Sequence, residues 1–239
     1  MSASELLIVV PARGGSRGLA RKNALALGGV PLLEWTADAI RSSGLEGYAA
    51  VLSTDDEDIA SIGRSAGLEV PFLRPADLAS DEATAEDVAL HACDWYAAHR
   101  GFAPRFVMLL QPTSPLRPPG ALKAAIDMLS ADATLGAVVA VKAIYRSLRT
   151  LFYAETDMTL APVDERDETP NRRQAVRPLY TPNGALYATT VTQLQSSSSF
   201  FPPRCRAIVM DQIASLDIDD ATDLAIADAI VTAGLAWRR

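Results

Sequence analysis

Apolar positions along this chain alternate between short unbroken runs and longer stretches of helical spacing. Leu6–Val10 is a continuous apolar run, the pattern of a strand buried on both faces. Pro31 opens a helical stretch with Leu32, Leu33, Trp35, Ala39 and Ile40 at its apolar positions. Tyr48–Ser53 reads as the next strand, and Thr54-Asp55-Asp56 can cap a helix that runs through Ala66. Glu69–Leu73 reads as a short strand, Thr84–His99 as a helix and Arg105–Leu110 as a further strand. Pro118 and Pro119 begin a helix to about Leu129, and Gly136–Val141 is a fifth strand. Strands alternating with helices predict βαβ units, an α/β fold and a mostly parallel sheet.

The regularity breaks between Ile144 and Pro182, a stretch rich in Arg, Asp, Glu and Pro. A structureless connection of that length is uncommon in a compact domain. Residues 144–182 are therefore read as an excursion that packs on a second subunit, within one domain spanning 1–239; a solvated loop is the alternative. Gly184–Thr189 follows as a strand, Ser196–Ser199 as a turn or flexible loop, and Ala207–Met210 as the last strand. Asp219 and Asp220 cap a helix that carries Leu224, Ala227 and Ile230.

Composition narrows the classes. The 239 residues carry a net charge of -7, which argues against a nucleic-acid partner. Cys93 and Cys205 are far apart with no CxxC, so a structural zinc site is not expected. Cys93 falls in a helical pattern and reads as core, Cys205 as exposed. His91 and His99 are the only histidines, and His91 in its helical stretch reads as an ordinary helix residue. No signal peptide is visible, and no apolar run approaches the about 20 residues of a membrane span. A cytoplasmic protein with no membrane association is expected.

Against the acidic background, the end of the first strand is cationic: Arg13-Gly14-Gly15-Ser16-Arg17-Gly18, then Arg21, Lys22 and Asn23. Gly and Ser let backbone N–H groups turn toward phosphate oxygens, and Arg and Lys add charge. The loop is neither GxxxxGK[ST] nor GxGxxG, so on its own it says only phosphate. Ser215-Leu216-Asp217-Ile218-Asp219 places carboxylates at i and i+2, on one side of an extended segment. That pair suits Mg²⁺, which takes one or two carboxylates plus substrate phosphates. Gln111-Pro112-Thr113-Ser114-Pro115-Leu116-Arg117 follows a strand. Its Gln111 and Ser114 can hydrogen-bond a polar ligand, and Arg117 can hold a phosphate or carboxylate. Pro182-Asn183-Gly184 implies a turn with close backbone approach to a ligand. The basic loop, Ser53-Thr54-Asp55 and the Gln111 stretch all fall at strand ends, where parallel α/β sheets bind ligands.

Together these segments resemble the acylneuraminate cytidylyltransferase family, the CMP–sialic acid synthetases. The matching stretches are Pro11–Asn23, Ser53-Thr54-Asp55, Arg74–Asp81, Leu109–Arg117, Pro182–Tyr187, Phe200-Phe201 and Ser215–Asp219. They occur in the family's order along nearly the whole chain. The resemblance implies a Rossmann-like, GT-A-like nucleotidyltransferase fold, a three-layer sandwich with a small dimerisation excursion. It implies coupling of CTP to the anomeric hydroxyl of an α-keto sugar acid, with pyrophosphate released, in a homodimer that needs Mg²⁺ (Mn²⁺ able to substitute). Carried over, Arg13, Gly14, Ser16, Lys22, Asn23 and Arg74 bind the nucleotide, and Asp217 and Asp219 hold the metal. Gln111, Arg149, Arg173, Tyr187, Phe200 and Phe201 face the sugar, with Arg173 reaching from the dimerisation segment. Arg17 and Arg149 stand where the family often has Lys, and Ala85 where some members have a nucleotide-contacting Ser.

Chemistry follows from those assignments. Arg13 and Lys22 stabilise charge on the departing pyrophosphate, and Asp217 or a metal-bound water is the candidate acceptor of the hydroxyl proton. Tyr187 offers a face with a polar tip, and the flanking Ser and Pro residues leave Phe200 and Phe201 half-exposed as apolar faces. The favoured substrate is N-acetylneuraminate, with legionaminate or another nonulosonate as the close alternative. The Gln111–Arg117 stretch favours that branch over pseudaminate or eight-carbon acids. A DxD metal-dependent glycosyltransferase and a non-catalytic nucleotide-binding protein are the more distant readings.

Overall fold

A computed structural model of the chain describes residues 5–15, 22–101, 103–164 and 177–238. The strands are β1 (Leu6–Pro11), β2 (Ala26–Leu27), β3 (Val30–Pro31), β4 (Tyr48–Ser53), β5 (Phe106–Leu109), β6 (Ala137–Ile144), β7 (Phe152–Ala154), β8 (Leu160–Pro162), β9 (Leu179–Thr190) and β10 (Cys205–Met210). The helices are α1 (Leu32–Arg41), α2 (Glu57–Ser65), α3 (Ala85–Arg100), α4 (Gly120–Ala131), α5 (Val191–Ser197) and α6 (Ala221–Thr232). None of them, among the described residues, is long and apolar enough to cross a membrane.

A six-stranded sheet in the order β10-β6-β9-β5-β1-β4 forms the centre. Only β9 runs against its neighbours; β1 is parallel to β4 and β5, and β10 to β6. The alternation of side chains along β1 builds the layers. Leu6, Ile8 and Val10 point into a cluster with Leu33, Ile40, Ile59 and Leu122. Leu7 and Val9 point the other way, onto Val88, Ala92 and Tyr96 of α3 and Leu194 of α5. The expected three-layer α/β sandwich is the result. A satellite cluster of Leu27, Leu32, Trp35, Leu116, Ile218 and Ala227 seats α6 against α1.

Register brings the strand ends level. Pro11 lies opposite Ser53, and Val9 opposite Leu109. The neighbours of β1 come from later segments that leave it in opposite directions, so the crevice of the sheet opens at its carboxyl end. Because β9 is antiparallel, its first half reaches the same edge. There β9 advances from Tyr187 to Pro182 while β6 advances only from Val139 to Val141. Residues 183–186 therefore bulge out of the ladder, a device that re-aims backbone beside functional sites.

Several expected elements change. Glu69–Leu73 is not a strand: Glu69 alone bridges Val51, and Pro71 has no N–H with which to continue the ladder. The strands expected at 105–110 and 207–210 are Phe106–Leu109 and Cys205–Met210. The strands expected at 136–141 and 184–189 run on to Ile144 and back to Leu179, pairing the two ends of the excursion with each other. The excursion holds the β7–β8 hairpin. Of the Ser196–Ser199 loop, Ser196 and Ser197 are the last residues of α5, with Thr190 capping that helix and Ser198 closing it in the left-handed region.

The layer of α2 packs tightly enough to test. A Cβ built on Gly63 falls inside the envelope of Leu52 Cδ2, and Leu52 is fully buried. Helix propensity favours Ala over Gly by about 1 kcal/mol, whereas overpacking a core costs about 1–3 kcal/mol. Gly63→Ala should therefore lower the thermal midpoint by about 2–6 °C; a raised midpoint would show that Leu52 moves aside without cost.

Candidate active site

One wall of the site comes from the loop after β1. Arg13 is held by Asp81 at 2.7 Å and donates to the Ser80 carbonyl at 3.1 Å. The Gly14 N–H donates to Asp55 Oδ1 at 2.9 Å, which ties the loop to the end of β4. Asn23 is buried and donates to the Arg13 carbonyl at 3.1 Å, fixing the loop from beneath. Ser16, Arg17, Gly18 and Arg21 lie outside the described residues.

Arg74 is buried and donates through Nε to Ser53 Oγ at 3.0 Å, through Nη1 to the Leu78 carbonyl, and to the Ser53 carbonyl. Burial lowers its pKa to about 10, against the pull of Asp55, which leaves it cationic at neutral pH. Arg13, Lys22, Asn23 and Arg74 line a cavity of about 540 Å³ whose far side is Thr84 and Ala85, at the start of α3.

The second wall is acidic. Asp217 follows β10 and is held by the loop after β5: Thr113 bonds its carboxylate, and the Ile218 N–H donates to the Thr113 carbonyl at 2.8 Å. Burial raises the Asp217 pKa and the Asp219 charge adds to this, while Thr113, Lys22 and Arg117 oppose it. Asp217 Oδ1 is buried with no hydrogen-bond partner among the described residues. Asp219 is exposed, and its Oδ1 meets Lys22 Nζ at 2.8 Å. Asp220 alone supplies the helix cap, accepting from the Thr222 and Asp223 N–H groups.

Among the described residues no group of three or more His, Cys, Asp or Glu gathers as a metal site. An orphaned buried carboxylate oxygen beside a second carboxylate is instead the donor set of a hard cation that takes its remaining ligands from phosphate and water.

A larger, open cleft of about 1640 Å³ lies beyond, and Gln111, Asp217 and Asp219 belong to both spaces. Its floor is the β9 bulge. Gly184 sits there at φ +78°, and a Cβ on it would stand 2.5 Å from Gln111 Oε1 and 3.3 Å from Asp217 Oδ2. Asn183 fixes the bulge, donating to Ser215 Oγ at 2.9 Å and accepting the Ala185 N–H. Tyr187 lines the cleft; burial raises its pKa, with Asp217 adding to the shift.

Phe200 and Phe201 differ from the expected half-exposed pair. Phe201 is exposed and meets the Tyr187 ring edge-on at 5.9 Å. Phe200 is 1% exposed and packs into the layer of α3 and α5 under Tyr187, with ring centroids 5.5 Å apart. Phe200 supports the ring that faces the cleft, because α5 places it on the core side. Arg117 also departs from the reading of a ligand-holding cation. It has no exposed surface and donates to the Ala185 carbonyl at 2.8 Å, to Thr36 Oγ1 at 3.2 Å and to the Gln111 carbonyl.

Arg149 is exposed on a 3-10 turn and lines neither space, and Arg173 lies outside the described residues. Thr113, Asp55 and Asp81 were not singled out by sequence reasoning. Each stands inside a flagged stretch, but nothing in their spacing showed which cation, amide or carboxylate they would meet.

Comparison with known proteins accords with this geometry. A family model described as Cytidylyltransferase matches residues 7–212. The chain is 32% identical over 227 residues to an N-acylneuraminate cytidylyltransferase of Escherichia coli O18:K1:H7 (strain RS218 / NMEC), covering 95% of this chain and 52% of that protein. It thus spans about half the length of the N-acylneuraminate cytidylyltransferases it matches. It is 32% identical over 233 residues to a CMP-N,N'-diacetyllegionaminic acid synthase of Legionella pneumophila subsp. pneumophila (strain Philadelphia 1 / ATCC 33152 / DSM 7513), covering 95% of this chain and 96% of that one. The fold is similar to that of a CMP:2-keto-3-deoxy-manno-octonic acid synthetase complexed with CTP, with a TM-score of 0.68 at 16% identity, covering 96% of this chain and 99% of that chain. With its family model matched from β1 to the segment after β10, and a relative overlapped almost end to end, the chain belongs to the cytidylyltransferase family.

Proposed function

We propose that this chain transfers a cytidylyl group from CTP to the anomeric hydroxyl of a nine-carbon α-keto sugar acid, releasing pyrophosphate. One observation carries the reading: a cation-lined space and a larger polar cleft meet at Gln111, Asp217 and Asp219. Two substrates can therefore approach one pair of carboxylates from opposite sides. N-acetylneuraminate is the favoured acid, supported by the N-acylneuraminate relatives. A legionaminate is the second reading, supported by the near end-to-end match to the legionaminic acid synthase.

Asp217 and Asp219 would hold Mg²⁺, which supplies polarisation of the α-phosphate when bound. The sugar hydroxyl oxygen bonds to the α-phosphorus, and the bond from that phosphorus to the β-phosphate oxygen breaks. Pyrophosphate leaves with the electron pair, and Arg13 and Lys22 stabilise its charge. Asp217 stands where the two spaces meet, within reach of both substrates, and is the candidate acceptor of the hydroxyl proton. Gln111 orients the sugar acid from the shared wall, and Tyr187 and Phe201 offer it ring faces.

A homodimer completes this reading. The β7–β8 hairpin carries Phe152, Tyr153, Met158 and Leu160, each 49–73% exposed, which is the composition of a face covered by a second copy. Because Arg149 lines neither space within one chain, we assign it, with Arg173 of the same segment, to the sugar across the dimer.

Three measurements check the proposal. The purified chain is given CTP, Mg²⁺ and a panel of sugar acids, and pyrophosphate is measured. Release is expected with N-acetylneuraminate or a legionaminate, and no release with any nine-carbon acid sinks the reading. Gly184→Ala pushes a methyl between Gln111 and Asp217, so turnover should drop at least about 100-fold, as small misplacements at a reacting centre can cost. Near-normal turnover would remove the bulge from the reaction. Sedimentation at micromolar concentration should show a dimer that Tyr153→Asp with Met158→Asp converts to monomer; a monomeric parent chain would refute the covered face.

A further inference from the structure

In this chain three described donors of the phosphate wall are already engaged by acids. Gly14 N–H is on Asp55, Arg13 on Asp81 and Lys22 on Asp219. The third pair differs from the others, because both partners belong to the machinery assigned above. Lys22 is the cation proposed for the triphosphate, and Asp219 is a carboxylate proposed for the metal. Their atoms are 2.8 Å apart and come from segments at opposite ends of the chain. Both side chains line the nucleotide space.

We infer that the Lys22–Asp219 pair is a latch that couples nucleotide and metal binding, an inference that rests on the proposed function. Metal-free nucleotide arriving alone can draw Lys22 away only by leaving the Asp219 charge beside its own phosphates. A divalent cation arriving alone can draw Asp219 away only by leaving the Lys22 charge beside it. The nucleotide–metal complex supplies both replacements together, an anion for Lys22 and a cation for Asp219, so neither charge is stranded. Asp217 lines the same space, with a buried oxygen that has no hydrogen-bond partner among the described residues. The Asp219 side chain is 73% exposed and that of Lys22 19%. The pair is therefore weak enough to exchange and strong enough to measure.

The test is calorimetric binding to the whole chain, read without turnover. CTP is titrated with EDTA present into wild type, Asp219→Asn, Lys22→Met and the double variant. Asp219→Asn should bind metal-free CTP about fivefold more tightly than wild type, as expected for release of a partly exposed ion pair. The same substitution in the Lys22→Met background should change affinity far less, because no latch remains. Equal tightening in both backgrounds, or weakening by Asp219→Asn, would overturn the latch and leave only a general field effect. Mg²⁺ titrated alone should bind Lys22→Met about fivefold more tightly than wild type on the same scale, and an unchanged affinity would also overturn it. This arm holds even where Lys22→Met binds CTP too weakly to measure. A wild-type chain that fails to bind CTP even with Mg²⁺ would refute the nucleotide reading itself and take the latch with it. CTP binding without the double-variant coupling refutes the latch alone.

Discussion

A guanidinium with no exposed surface lies beneath the site, and the arrangement above depends on it. Arg117 reaches from the segment before α4 to Thr36 of α1, the Gln111 carbonyl after β5 and Ala185 in the β9 bulge. Burial pulls its pKa down, and the nearby Asp217 charge opposes this. Its hydrogen bonds go to neutral oxygens, so the compensating negative charge is that of Asp217. Taking a charge out of water costs several kcal/mol. The energy spent on Arg117 therefore fixes positions: one side chain sets where Gln111 leaves its strand and where the bulge begins.

From that anchor the site is assembled by topology. Inserting β9 antiparallel between β5 and β6 turns its early residues toward the edge where β1, β4 and β5 end. The bulge then carries Gly184 against Gln111 and Asp217, at a positive φ and close enough to Gln111 that a Cβ would force a shift. The loop after β10 closes the circuit by bonding Ile218 to Thr113 and Ser215 to Asn183. Short polar contacts thus lock the junction of the two spaces, and the long cationic side chains stand at its rim. A rigid junction with exchangeable rim contacts suits a reaction that is mostly positioning and charge neutralisation.

The sheet was legible because its signals are local and periodic. The apolar run at Leu6–Val10 and the cap at Asp56 needed only neighbouring residues, and both elements lie within a residue or so of where the pattern put them. The strand-end position of the basic loop and of Gln111 followed from the same alternation. The errors share a different cause. Phe200 and Arg117 were read by chemical type, yet their burial is decided by which element crosses above them. No local pattern reports that an aromatic between Ser and Pro runs lies on the core side of α5, or that a cation after two prolines points inward. The Ser-rich end of α5 hid a helix because Val191 and Leu194 alone mark its buried face. The fold of this chain is written in periodicity, while the identity of the site is written in long-range pairs such as Lys22 with Asp219.

Those pairs also answer a question raised by the net charge of -7. An acidic protein that is to take an anionic nucleotide, as proposed, needs local positive potential, yet here Gly14, Arg13 and Lys22 each have a carboxylate beside them. Neutralised cations give the empty site little long-range attraction for phosphates in general, since paired charges cancel beyond about 10 Å at moderate salt. They become available only to a ligand that offers each acid something in return. On the proposed function, metal-bound triphosphate would do this at Asp219. The acids around the loop would then favour the metal content of the ligand over its charge alone, a form of selectivity that a wholly basic loop could not provide.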